Sequence, residues 1–263
     1  MGYVRAKKHL GQHFLVDKNL ALRIVESVEP GPADDLLEVG PGTGILTRIL
    51  DEKYGNRLKA IEIDYESVQY LVSEFPTLSG KIIQGDFLRL DLSTLFQNKF
   101  AIIGNFPYNI SSQIFFKILD YRDRIPMVVG MLQKEVALRI CSGPGSKEYG
   151  ILSVFLQTYY DISYLFSVPP QVFSPPPKVS SAVIRLIRNT RENPGCDEMI
   201  FRKIVKASFN QRRKILKNSL ASAGIDVPPD FAMQRPEQLT VDDFILLSRL
   251  VQEKELGTTL QGS

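Results

Sequence analysis

Five times in the first half of the chain, a short apolar run is followed by a stretch with helical periodicity. The runs fall at residues 36–39, 58–63, 81–84, 100–103 and 127–132. Alternation of this kind predicts an α/β fold, in which a mostly parallel sheet is covered by helices on both faces. Ahead of the first run, Asp17 can cap a helix reaching about Val28, since Leu20, Ile24 and Val28 recur at helical spacing. After a helix-like stretch at 151–159, two more extended runs, 162–168 and 182–187, are joined by the proline-rich "VPPQVFSPPPKVSS". They predict a hairpin that closes the sheet's edge and brings the strands to seven. Asn193-Pro194-Gly195 reads as a linker, and the stretches 197–208, 212–223 and 241–253 all read as helix. The expected organisation is a sheet domain over residues 1–190 and a small all-helical domain over 197–263.

The chain has 263 residues and a net charge of +3, so it is the placing of the charge that informs. Between residues 178 and 217 eleven Lys or Arg stand against three acids, Glu192, Asp197 and Glu198. The N-terminal arm adds Arg5, Lys7, Lys8, Lys18 and Arg23 against Asp17, and beyond Leu220 the balance turns acidic. Positive charge confined in this way fits a surface that faces nucleic acid; solvated helix faces are the plainer alternative. Cys141 and Cys196 are too few and too far apart to staple a secreted fold, which points to a reducing compartment and a cytosolic protein. With His9, His13 and two cysteines there is almost no material for a His/Cys metal site. No apolar run has the length of a signal segment or a membrane span.

Open parallel sheets bind ligands at the carboxyl ends of their strands. The first strand runs into "EVGPGTG", with Glu38 ahead of glycines at 40, 42 and 44. Such glycines let the backbone turn sharply and approach a ligand closely, ahead of a helix N-terminus. The spacing is not the G-x-G-x-x-G of a dinucleotide fold. It resembles that of S-adenosylmethionine-dependent methyltransferases, whose cofactor has no pyrophosphate. The second strand ends at Glu62, where a carboxylate can accept both hydroxyl hydrogens of a ribose. The third ends at Asp86, where an adenine amine could donate. Taken singly, each acid could equally be a loop carboxylate in water; three such loops in order point to a nucleoside cofactor.

The fourth strand ends in "GNFPYN", residues 104–109. Methylating an exocyclic aromatic amine is hard because its nitrogen lone pair is delocalised into the ring. Two acceptors gripping the N–H bonds, the Asn105 side-chain oxygen and the Phe106 carbonyl, would aim the amine and localise the lone pair. Pro107 sets the turn, and Tyr108 offers a ring on which a flipped base can stack. A core aromatic turn is the alternative.

"NFPY" resembles the N-[small apolar]-P-[aromatic] motif of adenine N(6)-methyltransferases. Together with "KKHLGQHFLVD", "LLEVGPGTGILT", "AIEID", "GDFL", "MLQKEVALRI", "VFSPPPKVSSAVIRL" and "SFNQRRKILKNSL" it resembles the ribosomal RNA adenine dimethyltransferase family that acts on the small subunit. The resemblance spans most of residues 7 to 250. It implies a class I, Rossmann-like methyltransferase domain, S-adenosylmethionine as cofactor, and contacts to it from His13, Leu15, Gly40, Glu62, Asp86 and Asn105, to which the glycine loop adds Gly42. The target adenine would be held by Asn105, Phe106, Pro107 and Tyr108, with Phe173 as a second stacking face. Many members carry Asn in place of His13 and Leu in place of Phe106. Arg212, Arg213, Lys214 and Lys217 offer phosphate contacts to RNA. The implied target is two adjacent adenosines in a hairpin loop near the 3′ end of 16S ribosomal RNA, each methylated twice on a late small-subunit assembly intermediate by a monomeric enzyme. Three alternatives stand beside this: a branch that methylates large-subunit RNA and confers antibiotic resistance, an assembly checkpoint factor with methylation secondary, and, more distantly, a DNA adenine methyltransferase.

Overall fold

The computed structural model describes residues 4–31 and 34–261; the outermost residues of the two expected domains, 1–3 and 262–263, lie outside the described residues. The chain opens with β1 (Phe14–Leu15) and α1 (Lys18–Glu26). Asp17 caps this helix as expected, accepting from the Leu20 amide at 2.9 Å. There follow β2 (Asp35–Val39), α2 (Ile45–Tyr54), β3 (Leu58–Glu62), α3 (Tyr65–Glu74), β4 (Ile82–Gln84), α4 (Leu92–Leu95), β5 (Phe100–Asn105), α5 (Ser111–Asp120), β6 (Met127–Gln133) and α6 (Lys134–Cys141). The chain continues through α7 (Ile151–Tyr159), β7 (Tyr160–Val168), β8 (Phe173–Ser174) and β9 (Ser181–Arg188). The last helices are α8 (Glu198–Asn210), α9 (Leu216–Ala221), α10 (Pro229–Ala232) and α11 (Val241–Gln261).

Seven strands form one sheet in the order β4-β3-β2-β5-β6-β9-β7. The five strands from β2 to β6 pair in parallel, and β9 joins β6 antiparallel. The two expected hairpin runs are therefore β7 and β9, which close one edge. Phe100, Ala101, Ile102 and Ile103 of β5 are all fully buried, because this central strand is covered on both faces. On one face, Ala101 and Ile103 share a core cluster with Leu36, Val129, Met131 and the helix residues Ile24, Val25, Leu46 and Leu50. From β2 the chain first moves outward through β3 and β4, then returns to the other side of β2 as β5. That reversal leaves a crevice above the adjacent carboxyl ends of β2 and β5.

A second small sheet was not anticipated. β1 pairs antiparallel with β8, Phe14 opposite Ser174 and Leu15 opposite Phe173. Strands of two residues carry no periodicity, so neither could be read from the sequence.

The chain divides into two compact units. One comprises the described residues through Ala137 together with Asp161–Arg188; the other comprises Leu138–Tyr160 and the chain from Asn189 onward. A single cut between residues 190 and 197 thus leaves out that 138–160 belongs with the C-terminal helices. The reason is apolar packing: α7 buries Leu152, Val154, Phe155 and Leu156, and the Phe155 ring meets Phe201 of α8 at 5.9 Å. The expected helix at 212–223 is shortened to α9. Residues 211–214 form a turn instead, with the Lys214 amide donating to the Gln211 carbonyl at 2.7 Å.

Candidate active site

One cavity sits over the crevice between β2 and β5, within the first unit. It is lined by the loops after β2, β3, β4 and β5 and by residues 10–15 of the N-terminal arm. His13, Leu15, Gly40, Gly42, Glu62, Asp86 and Asn105 all line it, so sheet order brings every expected cofactor residue together.

The loop after β2 is shaped around Glu62. Gly42 has φ +57°, and a Cβ there would lie 2.8 Å from the Phe14 ring, so only glycine fits. Its N–H donates to Glu62 Oε2 at 3.1 Å, and the Asp64 N–H donates to Oε1 at 2.9 Å. Burial pushes the Glu62 carboxyl up, and these amide donors pull against that shift. Each Glu62 oxygen keeps acceptor capacity for a further donor, as a ribose diol requires. Glu38, 1% exposed at the end of β2, also lines the cavity. Burial, reinforced by the charge of Glu62, pushes its carboxyl up to about 8, and its Oε2 has no partner among the described residues. Asp86 holds its own turn by accepting from the Leu88 amide at 2.9 Å. Ile63, 48% exposed, and Phe87 supply apolar lining beside these acids. The sequence reading missed both; the signal was an apolar residue directly after each strand-end carboxylate. A nucleoside fits this set: acceptors for sugar and base, an apolar wall, and an open glycine turn.

The loop after β5 carries the four residues expected to form the clamp. Asn105 Nδ2 donates to the His13 carbonyl at 2.8 Å, and Oδ1 takes no protein donor among the described residues. Phe106 is fully buried and is among the residues lining the cavity. Its N–H is taken by the Met131 carbonyl at 2.8 Å, and its own carbonyl receives no protein donor among the described residues. Pro107 is the turn residue, its carbonyl accepting from the Ile110 amide at 3.2 Å. The Tyr108 ring lies 5.3 Å from the His13 ring at 30°, and its hydroxyl bonds Ser181 Oγ. Burial raises the Tyr108 pKa, so the hydroxyl stays protonated. Phe173 is not brought to this cavity: it is 3% exposed, sits opposite Leu15, and belongs to the core cluster.

The N-terminal arm is strapped across the site by contacts between distant residues. Lys7 Nζ bonds the buried carboxylate of Asp64 and approaches Glu66 at 3.3 Å. Burial pushes Asp64 up, but the Lys7 ammonium and the Ser67 hydroxyl outweigh it and hold the carboxyl below its ordinary range. His13 Nδ1 donates to the Pro175 carbonyl at 2.8 Å.

The basic cluster lies in the second unit, on the turn between α8 and α9 and the first turn of α9. Arg213, Lys214 and Lys217 are exposed with no acidic partner among the described residues. Arg212 is half-buried and donates to the Ser146 carbonyl at 2.9 Å, so it braces the turn as well as carrying charge.

Comparison with known proteins gives consistent matches along the whole chain. The family described as Ribosomal RNA adenine dimethylase matches residues 3–243. A protein of Parabacteroides distasonis named Ribosomal RNA small subunit methyltransferase A is 53% identical, over 99% of this chain and 100% of that protein. One of the same name from Cytophaga hutchinsonii is 52% identical over 97% and 100%. Among solved structures, a dimethyladenosine transferase from Plasmodium falciparum superposes with a TM-score of 0.76 at 23% identity, covering 93% of this chain and 98% of that one. The 23S rRNA methyltransferase ErmE does so with a TM-score of 0.69 at 25% identity, covering 91% and 99%.

Proposed function

Since this chain belongs to the ribosomal RNA adenine dimethylase family, we propose that it dimethylates the exocyclic amines of two adjacent adenosines in a hairpin loop near the 3′ end of 16S ribosomal RNA. The substrate in this reading is a late small-subunit assembly intermediate, and a single copy of the chain acts on it in the cytoplasm. The small-subunit target rests on the relatives at 52–53% identity named for it, against 25% for the large-subunit enzyme.

S-adenosylmethionine, when bound, supplies a methyl group activated by a positively charged sulfur. Glu62 would accept from the ribose hydroxyls, Asp86 from the adenine amine, and the turn at Gly40 and Gly42 leaves room for the amino-acid end. His13 and Leu15 close the cavity from the N-terminal side. The observation that carries the reading is the state of Asn105. Its NH2 donates to the His13 carbonyl, which orients the amide so that Oδ1 is the acceptor, and the Phe106 carbonyl likewise takes no protein donor among the described residues. Two acceptors at a strand end can take both N–H bonds of an adenine amine, turning its lone pair out of conjugation with the ring. Tyr108 would stack on the extruded base, whose unstacking is repaid by that contact. The proton released after transfer needs no side-chain base, because a methylated arylammonium is acidic enough to lose it to water.

The test is transfer of labelled methyl groups from S-adenosylmethionine to under-methylated small subunits, naked RNA and large subunits, with nucleosides identified after digestion. Dimethyladenosine mainly in small-subunit RNA is the expected result. Label in large-subunit RNA would favour the resistance branch, and binding to small subunits without transfer would favour an assembly factor.

A further inference from the structure

In the paired strands β5 and β6, Gly104 lies directly opposite Gly130. Two facing glycines leave a notch in the sheet surface where most strands carry side chains. The ring of Phe106 folds back into it. A Cβ at Gly130 would lie 2.5 Å from Phe106 Cε2, 3.0 Å from Cδ2 and 3.2 Å from Cζ; one at Gly104 would lie 2.4 Å from the Val39 carbonyl and 3.0 Å from Phe106 Cε1. Phe115 of α5 closes the seat edge-on, its ring 5.7 Å from that of Phe106 at 76°. The ring is fully buried, and the Phe106 N–H is locked to the Met131 carbonyl.

We propose that Gly104 and Gly130 are positioning residues for methyl transfer: their notch seats the Phe106 ring and thereby aims the Phe106 carbonyl at the target amine. This rests on the clamp reading of Asn105 and Phe106 given above. A residue with its ring wedged and its N–H bonded has one main-chain group left to direct, the carbonyl, which takes no protein donor among the described residues. An aromatic residue at 106 is compatible with this sheet only because position 130 has no side chain. Displacing the ring rotates the peptide that carries the acceptor, and displacements of an ångström at a reacting centre cost large factors in rate.

The experiment compares wild type, G130A, F106L/G130A and F106A in single-turnover methylation of small subunits, with S-adenosylmethionine affinity by calorimetry and Tm for each. G130A is expected to transfer about 10- to 100-fold more slowly with cofactor affinity nearly unchanged, since the clamp and not the cofactor pocket is disturbed. F106L/G130A is expected to regain most of the rate, because leucine lacks the Cε2 and Cζ atoms that the new methyl would meet. F106A empties the seat without adding an atom and should lose rate like G130A. It carries the test alone if G130A does not fold. A G130A or folded F106A protein with wild-type rate would overturn the proposal, as would a folded F106L/G130A no faster than G130A. Wild-type protein that methylates no RNA would overturn the clamp reading and this inference with it; an active wild type with an equally active G130A overturns this inference alone.

Discussion

Asn105 has a two-ended amide, and the fold spends one end to orient the other. Replacing it with alanine removes an acceptor that matters most as the amine rehybridises. Asn105→Ala is therefore expected to slow methyl transfer by about 100- to 1000-fold. Binding to small subunits, measured by filter retention, should hardly change, because a transition-state contact contributes little to ground-state affinity. Equal loss of both would remove Asn105 from the clamp. Glu38 offers a different test. Its carboxyl is held near 8 in the folded chain by burial, against an ordinary value of 4.5. The stabilising proton is kept by both states below pH 4.5; between 4.5 and 8 the unfolded chain releases it first, so stability falls as pH rises. Glu38→Gln does not titrate, and its Tm should pull ahead of wild type progressively from pH 5 to 8, by about 2–4 °C for each kcal/mol relieved. A Tm difference that stays flat over this range would show that Glu38 does not titrate there.

At the scale of elements, the cavity is a joint product of four sheet loops and a strap. The loops are set by strands whose apolar runs are continuous, and their boundaries follow from where those runs stop. The strap is held by β1 against β8 and by the Lys7–Asp64 pair. Lys7→Met would leave Asp64, 3% exposed, as a buried carboxylate without its cation, an arrangement more costly than never having had the pair. We expect a lower Tm and faster proteolytic cutting within residues 4–15, both restored by Lys7→Arg. An arm cut no faster than in wild type would mean that the pair does not hold the strap. The same scale explains Phe173. It was expected at the base because of its motif, yet pairing of β8 with β1 turns its ring into the core, where Leu15 and its neighbours cover it.

For the molecule as a whole, the residues expected to hold cofactor and base lie in the sheet unit, while the helical unit carries Arg213, Lys214 and Lys217, exposed cations with no acidic partner among the described residues. Phosphate contacts add affinity with a salt dependence proportional to their number. Arg213→Ala with Lys214→Ala should weaken binding to small subunits and flatten the plot of log affinity against log salt by about 1.4–1.8, while transfer at saturating subunit stays near wild type. An unchanged slope would return these residues to a solvated surface. The five strand–helix repeats, the helical tail and the acid at the end of each early strand were legible in the sequence, because periodicity and turn chemistry are written into consecutive residues. The residue types at 105–108 that suggest a clamp were legible for the same reason. Other features were not: the His13 carbonyl that orients Asn105 across 92 positions, the Lys7 latch across 57, the Pro175 carbonyl on His13 across 162, and the glycine notch beneath Phe106. No local pattern encodes which distant backbone atom will stand 2.8 Å from a given side chain. Sequence alone determined which residues could do the chemistry; strand order and close packing decided which of their atoms are spent on the protein and which remain for the substrate, since only the closed sheet brings those distant partners within bonding distance.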